Sequence, residues 1–328
     1  MYHGTMHHGG AAHGNQAPSP RRWVAPRLVD GRLSGRGAVR SLVSGANRLY
    51  QRGLDRLLRV DRNTALNLGR PAAPGGPGVA AELLAALQMM KATAFDLATA
   101  SVDYARLRGS ESYARYRACT AALVDFEPAA LASHEERLAF WINLYNALII
   151  DAVITFGLKG TVRKDTGFFR RAAYLIGGLR YSADDIEHGV LRGNRRHFHP
   201  AILLPQFAPD DPRLRYTIRL PDPRLHCALV CASRSCPPIA AYDAGRIEEQ
   251  LDMAARNFVN GGGVTLDADG AAVRLSPVFR WYRRDFGGKE GVREFLLRFL
   301  DEGPARRALT ERRCRLRYQQ FDWSLNAA

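Results

Sequence analysis

Apolar side chains recur every three to four positions through residues 80–99, placing Leu83, Leu84, Leu87, Met90 and Ala94 on one side of a segment rich in helix formers. That spacing predicts an amphipathic helix, with the folded part of the chain beginning near Val79. A second helix is expected over 112–124, stopped by Glu127-Pro128. A third begins at Ser133, which forms a capping box with Glu136, and runs through the apolar stretch 138–154. Its length suits a membrane span. Asn143, Asn146 and Asp151 would each need a partner inside lipid, however, so a buried core helix is expected. Asn143 and Asn146 lie three apart and share a helix face. Buried amides must be hydrogen-bonded, so this pair either ties down loop backbone or orients a catalytic side chain.

Beyond residue 160 the pattern shortens. Aromatic residues and Gly177-Gly178 suggest loops and a hairpin over 161–178, and Ser182 reads as the N-cap of a short helix over 183–192. Helices are expected over 244–258 and 292–300. Two strands, 264–266 and 272–275, flank the turn Asp269-Gly270, and 315–318 reads as a further strand. Helices first and short strands later predict one helix-rich α+β domain with a small antiparallel sheet over 79–326. Residues 1–78 read as a leader rich in Gly, His, Arg and Pro. Its one helical segment, near 39–60, interleaves Leu42, Leu49, Leu54, Leu57 and Leu58 with arginines. Such a helix either docks loosely on the domain or lies on an acidic membrane surface.

Composition narrows the classes. The 46% hydrophobic and 24% charged content is that of a globular protein. The net charge of +15 is almost all arginine and is dispersed along the chain, which favours a solvated surface over a nucleic-acid face. No apolar h-region follows Met1, so an ordinary signal peptide is not expected, and the histidines His3, His7, His8 and His13 read as part of a flexible leader. Five cysteines, three of them crowded together, suit reduced thiols in the cytoplasm better than a disulfide framework. His197 and His199 form an H-x-H pair without an acidic or cysteine neighbour in sequence, so no metal is expected there. No glycine-rich phosphate loop or dinucleotide fingerprint is present, and no cofactor is expected.

The chemistry-bearing stretch is 225–238, L-H-C-A-L-V-C-A-S-R-S-C-P-P. Cys236 stands at the loop end of the apolar run, beside Arg234, and is the candidate nucleophile; Cys227 and Cys231 on the run read as core. His226 would be its base, with Asn143 or Asn146 as orienter, giving a cysteine-dependent hydrolase or transferase acting on a peptide or thiol compound. The order amide, histidine, cysteine suits a circularly permuted papain-like arrangement. If 226–232 were one strand, His226 and Cys236 would lie up to ~30 Å apart, so they meet only if 232–235 turns back. The alternatives are a non-enzymatic scaffold or partner-binding domain, thiol exchange between Cys231 and Cys236, and a zinc site from His226, Cys231 and Cys236.

Five ordered segments carry a family resemblance: F-W-I-N-L-Y-N-A-L (140–148), I-G-G…Y-S-A-D-D-I-E-H-G-V-L-R (176–192), D-P-R-L-H-C-A-L-V-C-A-S-R-S-C-P-P-I (222–239), L-S-P-V-F-R-W-Y-R-R-D-F (275–286) and F-D-W-S-L-N (321–326). Together they resemble the bacterial and eukaryotic family catalogued as domain of unknown function 547. The resemblance implies no settled activity. Some eukaryotic relatives carry a glutaredoxin domain in the same chain, which hints at thiol chemistry. Cys227 stands where relatives usually place an aromatic, which implies that it is not an essential group.

Overall fold

The computed structural model describes residues 36–69, 78–96, 98–311 and 315–328; the leader 1–35, its histidines and Cys314 lie outside them. The folded unit extends N-terminal of Val79 and takes in the basic helix α1 (Arg36–Leu57). α1 is tied to the body by polar side chains, among them Asp55, which pairs with Arg170. α2 (Val79–Ala94) follows and buries Leu83, Leu87, Met90 and Ala94, as its spacing predicts. A two-residue ribbon, β1 (Phe95–Asp96) with β2 (Ser101–Val102), and the short α3 (Tyr104–Arg108) lead to α4 (Glu111–Ala121). The Ser110 hydroxyl caps α4 by accepting the Tyr113 N–H, and a 3₁₀ turn, Ala122–Asp125, ends it ahead of the Glu127-Pro128 breaker.

α5 (His134–Phe156) is the axis of the structure. The predicted capping box forms: the Ser133 hydroxyl accepts the Glu136 N–H and the Glu136 carboxylate accepts the Ser133 N–H. Every residue from Leu138 to Ile154 is buried in protein. Its buried amides and carboxylate are partnered, as burial requires, whereas the Trp141 indole N–H has no partner among the described residues. Asp151 accepts from the Tyr113 and Tyr174 hydroxyls, each at 2.6 Å. α5 is therefore the core helix.

After the short α6 (Phe168–Arg171), strands β3 (Ala173–Ile176) and β4 (Leu179–Ser182) pair antiparallel across Gly177-Gly178. Both glycines sit at positive φ, 54° and 73°, which an L side chain rarely adopts. The segment capped by Ser182 runs on as a π-helix over Asp185–Leu191. Its wider i→i+5 bonds include Arg192 N–H to the Glu187 carbonyl, 2.8 Å. The 197–199 pair sits in an irregular segment.

The chain then makes a 3₁₀ turn, Pro223–Cys227, started by Asp222 capping the Arg224 N–H and by Pro223 at the first helical position. Residues 228–243 have no regular structure, so the run after His226 is not one strand. α7 (Ile247–Phe258) leads into β5 (Val264–Leu266) and β6 (Ala272–Leu275), paired antiparallel around Asp269-Gly270 as expected. α8 (Val278–Trp281), α9 (Gly288–Phe299) and α10 (Pro304–Thr310) carry the chain back so that β7 (Arg315–Tyr318) pairs parallel with β6. The fold is α+β, and its three-stranded sheet is mixed where an antiparallel one was expected, because a helical crossover, unlike a hairpin, can return a strand in parallel. One core surrounds α5. A second lies between α7, the sheet and α9, and includes Cys227.

Candidate functional site

Between the two cores lies a continuous buried polar network. His226, on the 3₁₀ turn, directs Nε2 to Asp285 Oδ2 at 3.0 Å. Asp285 also accepts from Arg192 Nε at 2.6 Å and from Arg195 at 2.9 Å. Burial opposes ionisation of Asp285, but the bond to His226 and the charge of Arg192 outweigh it and hold the carboxyl far below its usual range. The His226 ring stacks on Tyr282 with centroids 3.8 Å apart. The Tyr282 hydroxyl donates to Glu187 at 2.6 Å, and Tyr145 of α5 donates to the other Glu187 oxygen at 3.1 Å. The π-helix thus supplies Glu187 and its C-cap supplies Arg192, and the segment after α8 supplies Tyr282 and Asp285.

The cysteine loop is built separately. Ala232 at φ 60° reverses the chain, and Cys236 N–H bonds the Ser233 carbonyl at 3.0 Å to close the turn. The last residues of the chain clamp it. Arg234 N–H reaches the Ser324 carbonyl at 2.9 Å, Asn326 N–H reaches the Ala232 carbonyl at 3.0 Å, and the Ser235 hydroxyl accepts from Asp322 N–H at 2.8 Å. The F-D-W-S-L-N segment therefore acts as a brace on this loop.

The turn folds three polar side chains together. Cys236 Sγ accepts the Cys231 backbone N–H at 3.1 Å and the Ser233 hydroxyl at 3.4 Å, while Cys231 Sγ lies 3.0 Å from that same hydroxyl. Burial pushes the Cys236 thiol up, but hydrogen bonds from the Cys231 thiol, the Ser233 hydroxyl and the local backbone bring it down to about 7. Cys231 is driven the other way, first by its hydrogen bond to Cys236 and then by burial. Cys236 is half-buried and opens on a cleft of about 240 Å³ whose lining includes Arg234, Phe258, Gly262, Ser276 and Phe321.

The sequence candidates fall into two places. Cys236 and His226 share no hydrogen bond among the described residues, and the bonded nitrogen of His226 is committed to Asp285. Asn143 makes both of its bonds to the Tyr242 backbone, at 2.7 and 2.8 Å. Asn146 bonds the Ala228 carbonyl and the Val230 N–H, each at 3.0 Å. Both amides thus tie down the loop around the cysteines, and the group that orients His226 is Asp285. No site role for Glu187, Arg192, Tyr282 or Asp285 follows from the sequence. An aspartate in the aromatic run 279–286 was a usable signal, because a charge set among apolar neighbours needs a buried partner.

Asp184, His188 and His197 bring one ligand-type atom each within 4.8 Å of one another. His188 Nδ1 accepts from Arg192 at 2.8 Å, and His197 Nδ1 accepts the His199 N–H at 2.8 Å. Each neutral ring then carries its proton on Nε2 and has no lone pair free for a metal. The cluster reads as a buried hydrogen-bonding group. Burial pushes the Asp184 carboxyl up to about 7, against the opposing charge of Arg170. A folded-state pKa above the unfolded value gives stability that is complete below pH ~4 and is lost as pH rises through about 7. Asp184→Asn is therefore expected to stabilise the fold at pH 8 by up to ~4 kcal/mol, with the gain vanishing near pH ~4. Thermal melts at the two pH values check this; equal melting of parent and variant at pH 8 counts against it.

Neither a curated protein nor a solved structure matches the chain. Residues 129–259 match the family model described as "Protein of unknown function, DUF547". The match includes Asn143, Asn146, Glu187, Arg192, His226, Cys231 and Cys236, while Tyr282, Asp285 and the bracing tail lie C-terminal to it. Over residues 129–259 the chain is thus similar to the DUF547 family.

Proposed function

We propose that the domain carries out thiol–disulfide exchange, with Cys236 as attacking thiol and Cys231 as resolving thiol. The observation that carries this reading is the Ser233 hydroxyl placed within 3.4 Å of both sulfurs, with Cys236 Sγ also accepting the Cys231 N–H. A thiolate is the nucleophile in exchange, and a thiol titrating near ambient pH combines anion fraction with nucleophilicity. Cys236 meets that condition and faces a cleft.

The Cys236 thiolate attacks one sulfur of a substrate disulfide, forming a mixed disulfide and releasing the other substrate sulfur as a thiolate. Cys231 then gives up its proton to solvent and attacks Cys236 Sγ. The products are the Cys231–Cys236 disulfide and the second substrate thiol. The substrate gains two electrons and the protein loses two, to be restored by a small thiol or a dithiol protein. Once Cys236 is bonded to substrate it no longer stands as an anion beside Cys231. The leading cause of the raised Cys231 pKa is then gone, and Cys231 becomes the better nucleophile.

The same thiolate would serve the cysteine hydrolase or transferase expected from the Cys236–His226 pairing. That chemistry needs an imidazole within reach of the sulfur, and His226 is bonded to Asp285 and stacked on Tyr282. Exchange needs only the second thiol. Alkylation with iodoacetamide across pH tests the reading. Cys236 is expected to label first, with a rate midpoint near pH 7, and Cys227 and Cys231 far more slowly. A Cys236 midpoint near the ordinary thiol value of ~8.5 would overturn it.

A further inference from the structure

α1 is seated on the body by the wrong face for an amphipathic helix. Its buried residues are polar: Ser44, Asn47, Gln51 and Asp55. Asn47 and Gln51 donate to the Pro205 carbonyl at 3.0 and 2.8 Å. Arg170 bonds Gln51 at 2.9 Å and pairs with Asp55 at 2.7 Å. On the opposite side an apolar stripe faces solvent. Val39, Leu42, Val43, Leu49 and Leu57 are 63%, 75%, 50%, 73% and 77% exposed, and at 3.6 residues per turn they fall on one side of the helix. They are five of the eleven large hydrophobic side chains exposed among the described residues, so this is a concentrated patch and not scatter. Leu203, itself 56% exposed, lies beside α1, where its N–H bonds the Tyr50 hydroxyl at 2.9 Å.

Arg48 of α1 is paired with Asp210, and the charge left unpaired on the helix is of one sign. The helix has a single acidic residue, Asp55, and its carboxylate is buried against Arg170 and Arg62. Arg52 and Arg56 are exposed and make no ion pair among the described residues. Two copies packing through this stripe would bring these arginines together without a counter-charge, and Gly53 in the stripe offers no knob for a helix–helix seam.

We propose that α1 is a membrane-surface helix that holds the domain against a bilayer carrying anionic lipid. The stripe enters the boundary between headgroups and acyl chains, the helix lies in the plane of the interface, and Arg52 and Arg56 meet lipid phosphates. The net charge of +15 draws the whole chain to such a surface. Because the polar face is already docked, the helix need not detach from the domain to bind.

Flotation of the full chain with vesicles of equal parts phosphatidylcholine and phosphatidylglycerol, and with vesicles of phosphatidylcholine alone, tests this. The parent is expected to float with the anionic vesicles and to be released by salt. The double variant Leu42→Glu/Leu49→Glu alters only exposed side chains and is expected to bind at least about tenfold more weakly with an unchanged melting curve. Arg52→Ala/Arg56→Ala, a variant that leaves the stripe intact, is expected to lose several-fold and to respond less to salt. Undiminished binding by the leucine variant would assign the attraction to another part of the chain and overturn the proposal. Equal binding to both vesicle types, or no flotation of the parent, would also overturn it. So would a parent dimer that the leucine variant dissociates, which would give the stripe to a second copy.

Discussion

Asp285→Ala is expected to cost the fold about 3–5 kcal/mol, because it leaves the buried Arg192 guanidinium without its counter-charge. Among the described residues Asp285 is the only carboxylate bonded to Arg192, and it also holds Arg195 and His226. Arg192 keeps its bonds to His188 and to the Arg196 carbonyl, but neither partner is charged in compensation. Asp285→Asn keeps the shape and one acceptor and should fall between the parent and the alanine variant. The carboxyl is held far below its usual range, so its contribution is present at every pH above the unfolded value near ~4. It is lost only as pH falls towards the folded-state pKa. The stability gap between parent and Asp285→Asn should therefore stay level from pH 5 to pH 8 and close only in strong acid. Urea denaturation across that range measures it; an Asp285→Ala protein within ~1 kcal/mol of the parent would mean that water has replaced the carboxylate.

Cys231→Ser should produce the largest change in chemistry without removing the nucleophile. The Ser hydroxyl can still sit near Ser233, and the backbone N–H of residue 231 still reaches Cys236 Sγ. Attack on oxidised glutathione should proceed, although the lost thiol hydrogen bond moves Cys236 back towards an ordinary thiol pKa. Resolution cannot proceed, and the glutathione adduct on Cys236 should accumulate to one per chain, whereas the parent should pass through it to an internal disulfide. Intact-mass spectrometry separates the two species. Cys236→Ser should form neither. Persistence of the adduct in the parent would assign Cys231 to the core, as its place on an apolar run first suggests.

The elements were legible in proportion to how local their causes are. The capping box at Ser133, the spacing in α2, the Asp269-Gly270 turn and the Ser182 cap each depend on residues within a few positions, and each forms. The parallel pairing of β7 depends on how three intervening helices pack, which no local pattern carries. The site divides the same way. The cysteine loop is one short stretch and drew attention by composition alone. The histidine beside it in sequence faces elsewhere, because the 3₁₀ turn and the left-handed Ala232 separate them in orientation. The partners of His226 come from nearly sixty residues further on, at Asp285, and Glu187 and Arg192 are related by a π-helical spacing that a 3.6-residue period does not align. Asn143 and Asn146 were identifiable as buried donors, but which backbone they hold is set by an irregular loop, whose path follows from its clamps and not from its own sequence.

The thiol-exchange reading is tested most directly by equilibrating the full chain in glutathione buffers of graded potential, quenching with acid and mapping the cysteines by peptide mass. A single two-electron transition is expected, in which Cys231 and Cys236 are lost together into one internal disulfide while Cys119 and Cys227 stay reduced. Oxidation that joins other cysteines, or leaves Cys231 a free thiol at every potential that modifies Cys236, would contradict it.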